Sequence, residues 1–255
     1  SINTNTQSAV KARDLRSNSK QILKLKKAYE AKYSNGFFAT KRGETIPADK
    51  DKQYCIELSY LGKNLTAWYM QRPNLSYGET KIFDKYFNTL FKNDYLPEDA
   101  YALSFWMRKI MEAWTQENPL GLEEELLTMK AYAPYHLLFA ISMVFAKCNN
   151  QTNVPSPSEC LKVASENNLV DSIINIAANC LNSAISAEKN NCEQNNRSFI
   201  PQNWVKNKSC NAGIMSAIQN YFSFLPTMNK EMDYKLKNGV KIDSKYFSYR
   251  VQAED

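Results

Sequence analysis

Apolar residues recur at helical spacing along most of the chain. Leu15, Ile22, Leu25 and Tyr29 share one stripe of the segment Ala9 to Tyr33, and Lys11, Arg13, Arg16, Lys20, Lys24 and Lys27 crowd the remainder. The pattern predicts a long basic helix that ends at Asn35-Gly36. Phe37 to Thr40 reads as a short strand, and the basic tip Lys41-Arg42-Gly43 predicts a small hairpin with Gly43 in its turn. Residues 47–53 are polar and read as loop. Tyr54 to Gln71 is apolar, helical in its second half, and stopped by Pro73. Ser76-Tyr77-Gly78-Glu79 has the form of a capping box ahead of the stripe Ile82, Phe83, Tyr86, Phe87, Leu90 and Phe91. Pro97-Glu98-Asp99 opens the next helix, with Leu103, Trp106, Met107, Ile110 and Trp114 on its buried face.

The second half continues in the same style. Glu123-Glu124-Glu125 predicts a helix running to about Lys147. Asn149 to Ser158 is rich in Asn, Ser and Pro and reads as a linker. Ser158 is placed to cap a helix from Glu159 to Asn167. Val170, Ile173, Ile174, Ala177, Leu181, Ala184 and Ile185 mark another helix, and Ile214, Met215, Ile218, Tyr221, Phe222 and Leu225 the last. Lys237-Asn238-Gly239 reads as a turn, and the tail beyond Tyr249 is expected to fray. The fold class predicted is mainly α: a helical bundle-like array with a small β hairpin or strand element near residues 37–58. The expected division is 1–95 and 96–255, with the linker near 149–158.

Composition sharpens this. Only 7 Gly and 9 Pro occur in 255 residues, fewer than sandwiches and barrels use in their turns. Neither a G-x-G-x-x-G nor a G-x-x-x-x-G-K-[ST] phosphate loop is present. The single His, His136, lies within the apolar run around Tyr135 to Phe139 and reads as a core residue. Charge is unevenly placed. Residues 1–52 hold 12 Lys and Arg against 5 Asp and Glu, a net of +7, and the rest hold 20 against 21. That asymmetry suits a phosphate-facing surface or an acidic partner, or simply a solvated helix face. The six Cys form no C-x-x-C pair and read as reduced thiols of a cytoplasmic protein. The longest apolar stretch, about Ala131 to Ala146, is too short to span a bilayer, so no membrane role is expected. A polar start at Ser1 without Met reads as the interior of a longer protein.

Candidate chemistry concentrates near the N-terminus. Asn5, Gln7, Asn18 and Gln21 supply amides among Arg13, Arg16 and Lys20, and Lys41 and Arg42 add a second basic group. Amides and guanidinium groups are the donors that phosphate and base-edge contacts use, so these nine are the expected nucleic-acid-binding residues. Internal bracing of the fold is the competing role for the same side chains. Glu79-Thr80-Lys81 is an E-x-K, but it falls at a helix start rather than on a strand, which argues against a nuclease centre. Glu123-Glu124-Glu125 suits a helix N-terminus without a metal. No catalytic residue, metal ligand or cofactor is expected from these residues.

The same residues carry a family likeness. Asn3-Thr4-Asn5-Thr6-Gln7, then Lys11-Ala12-Arg13-Asp14-Leu15-Arg16-Ser17-Asn18 and Gln21, resembles the later part of the AIPR family of abortive infection phage resistance proteins. An aromatic pair with a basic turn follows (Phe37 to Gly43), then Gln71-Arg72-Pro73 and Lys81-Ile82-Phe83, in the family's order. The likeness covers roughly residues 2–92. Two features depart from it. The upstream N-N-G and V-N-G-x-Q-T signatures are absent, and Phe38 with Thr40-Lys41-Arg42 stands where a Tyr and an Arg pair are usual. The resemblance implies a role in bacterial phage defence, not a defined reaction, in a protein completed by its missing N-terminal part; contact with DNA or RNA is what the basic 1–52 segment suggests. A metal-dependent nuclease fragment and a helical protein-interaction module, including a homo-oligomer, are the alternatives.

Overall fold

Residues 12–253 are described by the computed structural model. A helical turn at 12–16 breaks at Ser17 to Ser19, and the basic helix resumes as α1 (Lys20–Lys32). Ser17 Oγ donates to the Asp14 carbonyl at 2.6 Å. Short hydroxyl side chains that bond nearby backbone compete with helix, which accounts for the split. α1 buries Ile22, Leu25 and Tyr29. β1 (Phe37–Ala39) then pairs with β2 (Cys55–Glu57). The pairing is parallel, with Phe38 opposite Ile56. The hairpin expected here is therefore corrected to a parallel pair. Gly43 does take a turn conformation (φ 70°), but the chain runs on through residue 54 before the second strand forms.

β2 leads directly into α2 (Leu58–Trp68), whose Leu58, Leu61, Leu65 and Trp68 face the core. The aromatic segment that follows is two short helices, α3 (Glu79–Phe83) and α4 (Phe87–Leu90), rather than one. The capping box is also corrected: Gly78 is the N-cap, no side chain caps it, and Glu79 stands at the first helical position. α5 (Pro97–Met111) starts and ends as its charges require, with Glu98 and Asp99 in the first turn and Arg108 and Lys109 in the last.

The helix expected from Glu123 to Lys147 is also two. α6 (Glu124–Leu127) stops, and α7 (Ala133–Cys148) begins with Pro134 in its first turn. Proline lacks an N–H and clashes with the preceding turn, so it opens a helix rather than continuing one. α7 is buried on nearly every side and packs against α2 and α5. It also packs against α9 (Val170–Gln194) and α11 (Ser209–Met228). A helix apolar all round belongs in the middle of an array, and that is its place.

Two further corrections fall in the second half. Residues 149–158 contain β3 (Val154–Pro155), which pairs antiparallel with β4 (Phe247–Ser248). α8 (Pro157–Glu166) is capped by Ser156, whose hydroxyl accepts from Glu159 N, rather than by Ser158. Both serines serve the buried Asp99: its Oδ1 accepts from Ser156 Oγ at 2.8 Å and Ser158 Oγ at 2.7 Å, and its Oδ2 from Tyr69 OH at 3.2 Å. The stretch read as a linker is thus anchored to α5, and one core cluster runs from Ile22 to Val251 across it. The tail does not fray at Tyr249. Val251 is buried, and its N–H donates to the Tyr69 carbonyl at 2.8 Å. α10 (Pro201–Lys206) precedes α11, and α12 (Lys230–Gly239) extends through the residues read as a turn. No helix among the described residues is long and apolar enough to cross a membrane.

Candidate functional site

α2 and α5 lie side by side and present one face each to a cleft of about 980 Å³. From α2 come Tyr60, Leu61, Lys63 and Asn64, at one helical face. From α5 come Ala100, Ser104, Met107, Arg108 and Met111, again at helical spacing. The 46–52 loop closes one side with Lys50 and Lys52, and the turn before α7 and its first turn close another with Lys130 and Tyr135. The floor is therefore Leu, Met and aromatic, and the cations stand around it. That combination is how ligand sites are usually built.

Five cations, Lys50, Lys52, Lys63, Arg108 and Lys130, line the cleft against a single carboxylate, Glu57. Among the described residues none of the five forms an ion pair. Lys50 Nζ donates to the Ser34 carbonyl at 3.0 Å, and Arg108 lies over the Tyr101 and Phe105 rings at 6.0 and 5.9 Å. Like charges held around a low-dielectric wall focus a positive field into the opening. Burial pulls the Lys63 ammonium below its ordinary value; Glu79 acts in the opposite sense and Arg13 adds to the lowering. The Cys55 thiol, also on the wall, is pushed up by burial and is a poor nucleophile.

Asn64 is the other notable wall residue. It is 4% exposed, and its Oδ1 is buried without a hydrogen-bond partner. An unmet buried acceptor costs on the order of 1–3 kcal/mol.

The residues singled out from the sequence divide into three groups. Asn5 and Gln7 lie outside the described residues. Arg13 and Arg16 are turned inward. Arg13 Nη1 pairs with Glu79 Oε1 at 2.9 Å with its side chain 11% exposed, and Arg16 Nε donates to the Phe83 carbonyl at 3.1 Å beneath the Phe87 ring. Asn18, Lys20 and Gln21 are exposed at the start of α1. Lys41 and Arg42 are exposed and meet Arg13 around a second, smaller recess of about 150 Å³. Glu57 lines both recesses, so the basic tip borders the cleft.

The E-x-K does not make a nuclease centre: Glu79 is spent on Arg13 and sits on a helix. His136 is a core residue, stacked on Trp204, with Nδ1 3.0 Å from the Tyr132 carbonyl and Nε2 2.9 Å from that of Val205. Glu125 pairs with Lys189, and among the described residues no group of three or more His, Cys, Asp or Glu side chains is placed to hold a metal ion. All six cysteines are unpaired.

Charge counting along the chain missed Lys63, Asn64, Arg108 and Lys130. One signal was available: Lys63 is the one charged residue of a mostly apolar helix, with Asn64 beside it. No family model, curated protein or solved structure matches this chain.

Proposed function

We propose that the cleft between α2 and α5 binds single-stranded nucleic acid. The observation that carries this is the set of five cations, none in an ion pair among the described residues, around an apolar and aromatic floor and opposed by one carboxylate. Backbone phosphates meet the cations, and bases meet Tyr60 and the apolar wall, which is the way sequence-tolerant strands are held. Tyr60 is 56% exposed at this site, with Lys63 Nζ over its ring at 5.6 Å, so an aromatic group and a cation are offered together. The exposed Lys41 and Arg42 extend the same field past Glu57. Arg13 and Arg16 are braces in this reading, and the binding surface expected on the N-terminal segment moves toward its Lys50 and Lys52 end.

The setting we propose is bacterial phage defence, in the cytoplasm. Two of the motif blocks that resemble AIPR proteins support it by packing together, Arg16 of one meeting Phe83 of the other. Six unpaired thiols suit a reducing compartment. One observation favours a second reading, a protein-interaction module: Phe224, Met228 and Tyr234 stand 61%, 70% and 69% exposed near the junction of α11 and α12.

Fluorescence anisotropy of a labelled single-stranded oligonucleotide over a range of salt tests the main reading. Three to five phosphate contacts give a slope of log K against log salt of roughly −2 to −3.5, at about −0.7 per contact. Absence of binding at low salt, or binding indifferent to salt, overturns it.

A further inference from the structure

Lys63 stands apart from the other cations of the cleft. Lys52 and Lys130 are exposed, and Lys50 is held by the Ser34 carbonyl, whereas Lys63 is half-buried on the α2 wall. Its Nζ forms no ion pair among the described residues and lies 5.6 Å from the centre of the Tyr60 ring. Burial is the main cause that lowers its pKa, so more of it is free amine at neutral pH than of an ordinary lysine. A partly desolvated lysine with a further cation nearby, here Arg13, is the form in which an amine attacks a carbonyl carbon.

Resting on the reading of the cleft as a single-strand site, we propose that Lys63 captures abasic nucleotides in such strands, its Nζ forming an imine with the open-chain sugar aldehyde. The ligand class is a phosphate-bearing aldehyde. An abasic nucleotide keeps both flanking phosphates and has lost its base, so the cleft cations hold the strand and the aldehyde carbon is uncovered. The Nζ lone pair adds to that carbon and gives a carbinolamine. The carbonyl oxygen then leaves as water with the two hydrogens of the free amine, and a C=N bond replaces C=O. The step uses no oxidant or reductant, and water reverses it. A bound strand holds its aldehyde close to Nζ, which sets this capture apart from reaction with a free sugar phosphate.

The test incubates the full chain with a single-stranded oligonucleotide carrying one abasic site, with sodium cyanoborohydride present to reduce the imine to a stable secondary amine. Peptide mass mapping locates the adduct. The intact oligonucleotide and free deoxyribose phosphate are run beside it. The expected result is an adduct on Lys63, absent with the intact strand and formed at a concentration roughly tenfold or more lower with the abasic strand than with the free sugar phosphate. Lys63→Arg, compared at an oligonucleotide concentration that saturates it by anisotropy, should lose the adduct; the wild-type map stands without the variant. Adducts spread over Lys50, Lys52 and Lys130, or one that persists in Lys63→Arg, overturn the role of Lys63. An adduct from the intact strand overturns the aldehyde, and equal labelling by the free sugar phosphate overturns the strand as its source. An abasic strand that binds and forms no adduct overturns capture and leaves the electrostatic reading intact. Failure of both strands to bind at low salt overturns both.

Discussion

Arg16 illustrates how a charge can be misread along a sequence. In a basic run it looks like surface, yet its Nε donates to the Phe83 carbonyl and its guanidinium covers the Phe87 ring at 4.7 Å. Arg16→Ala should lower stability by about 2 kcal/mol, through a charge-assisted hydrogen bond and a cation–π contact, and leave oligonucleotide affinity unchanged. Denaturant titration and a binding curve on the same variant check both halves. His136 was legible as a core residue because a lone His in an apolar run has nowhere else to go. Its titration adds a consequence. Both ring nitrogens face carbonyl oxygens, which favours the imidazolium, but burial outweighs this and holds its pKa down at about 4. Between pH 6.5 and 4 the unfolded chain binds a proton that the folded chain does not, so stability is full above pH 6.5 and falls as pH drops toward 4. The loss is about 3 kcal/mol. Urea midpoints at pH 7 and pH 4.5 should separate less in His136→Gln than in the wild type; an equal separation would deny His136 this role.

At the scale of elements, helices with long, uninterrupted apolar stripes were readable, α5 and α9 above all. Their charges and spacing agree with their burial, so local and tertiary preferences coincide. The misread elements share a nonlocal cause. β1 finds its partner beyond a loop, and nothing in the sequence around Gly43 distinguishes a parallel pair from a hairpin. The capping box at Ser76 yields because Glu79 is drawn to Arg13, far away in sequence. Gly62 also shows packing that a stripe does not reveal. A Cβ there would lie 2.7 Å from Phe83 Cζ and 3.1 Å from Ile82 Cγ2, so α2 and α3 touch through it. Gly62→Ala forces the buried Phe83 to shift, which should outweigh the gain in helix propensity. A net loss of about 2 kcal/mol, or a melting point lower by roughly 4–8 °C, is expected in a thermal scan.

Across the whole molecule, the core is continuous where composition suggested a linker. Asn-, Ser- and Pro-rich sequence looks flexible, but Ser156 and Ser158 are held by Asp99, and Trp68 Nε1 donates to the Pro155 carbonyl at 2.7 Å. The cleft was the least legible feature for a related reason. Its walls are drawn from residues 46 to 135, and no segment of the chain holds the five cations together. Only the surplus charge of residues 1–52 hinted at a polyanion site, and folding turns part of that charge inward. Whether the cleft or α1 carries binding is decided by comparing two double variants in one salt titration of a single-stranded oligonucleotide. Arg108→Ala with Lys130→Ala removes two cleft cations, and Lys20→Ala with Lys27→Ala removes two exposed cations of α1. The cleft variant should flatten the slope by about 1.4, two contacts at about 0.7 each, while the α1 variant keeps the wild-type slope. A flattened slope in the α1 variant and an unchanged one in the cleft variant would contradict the assignment.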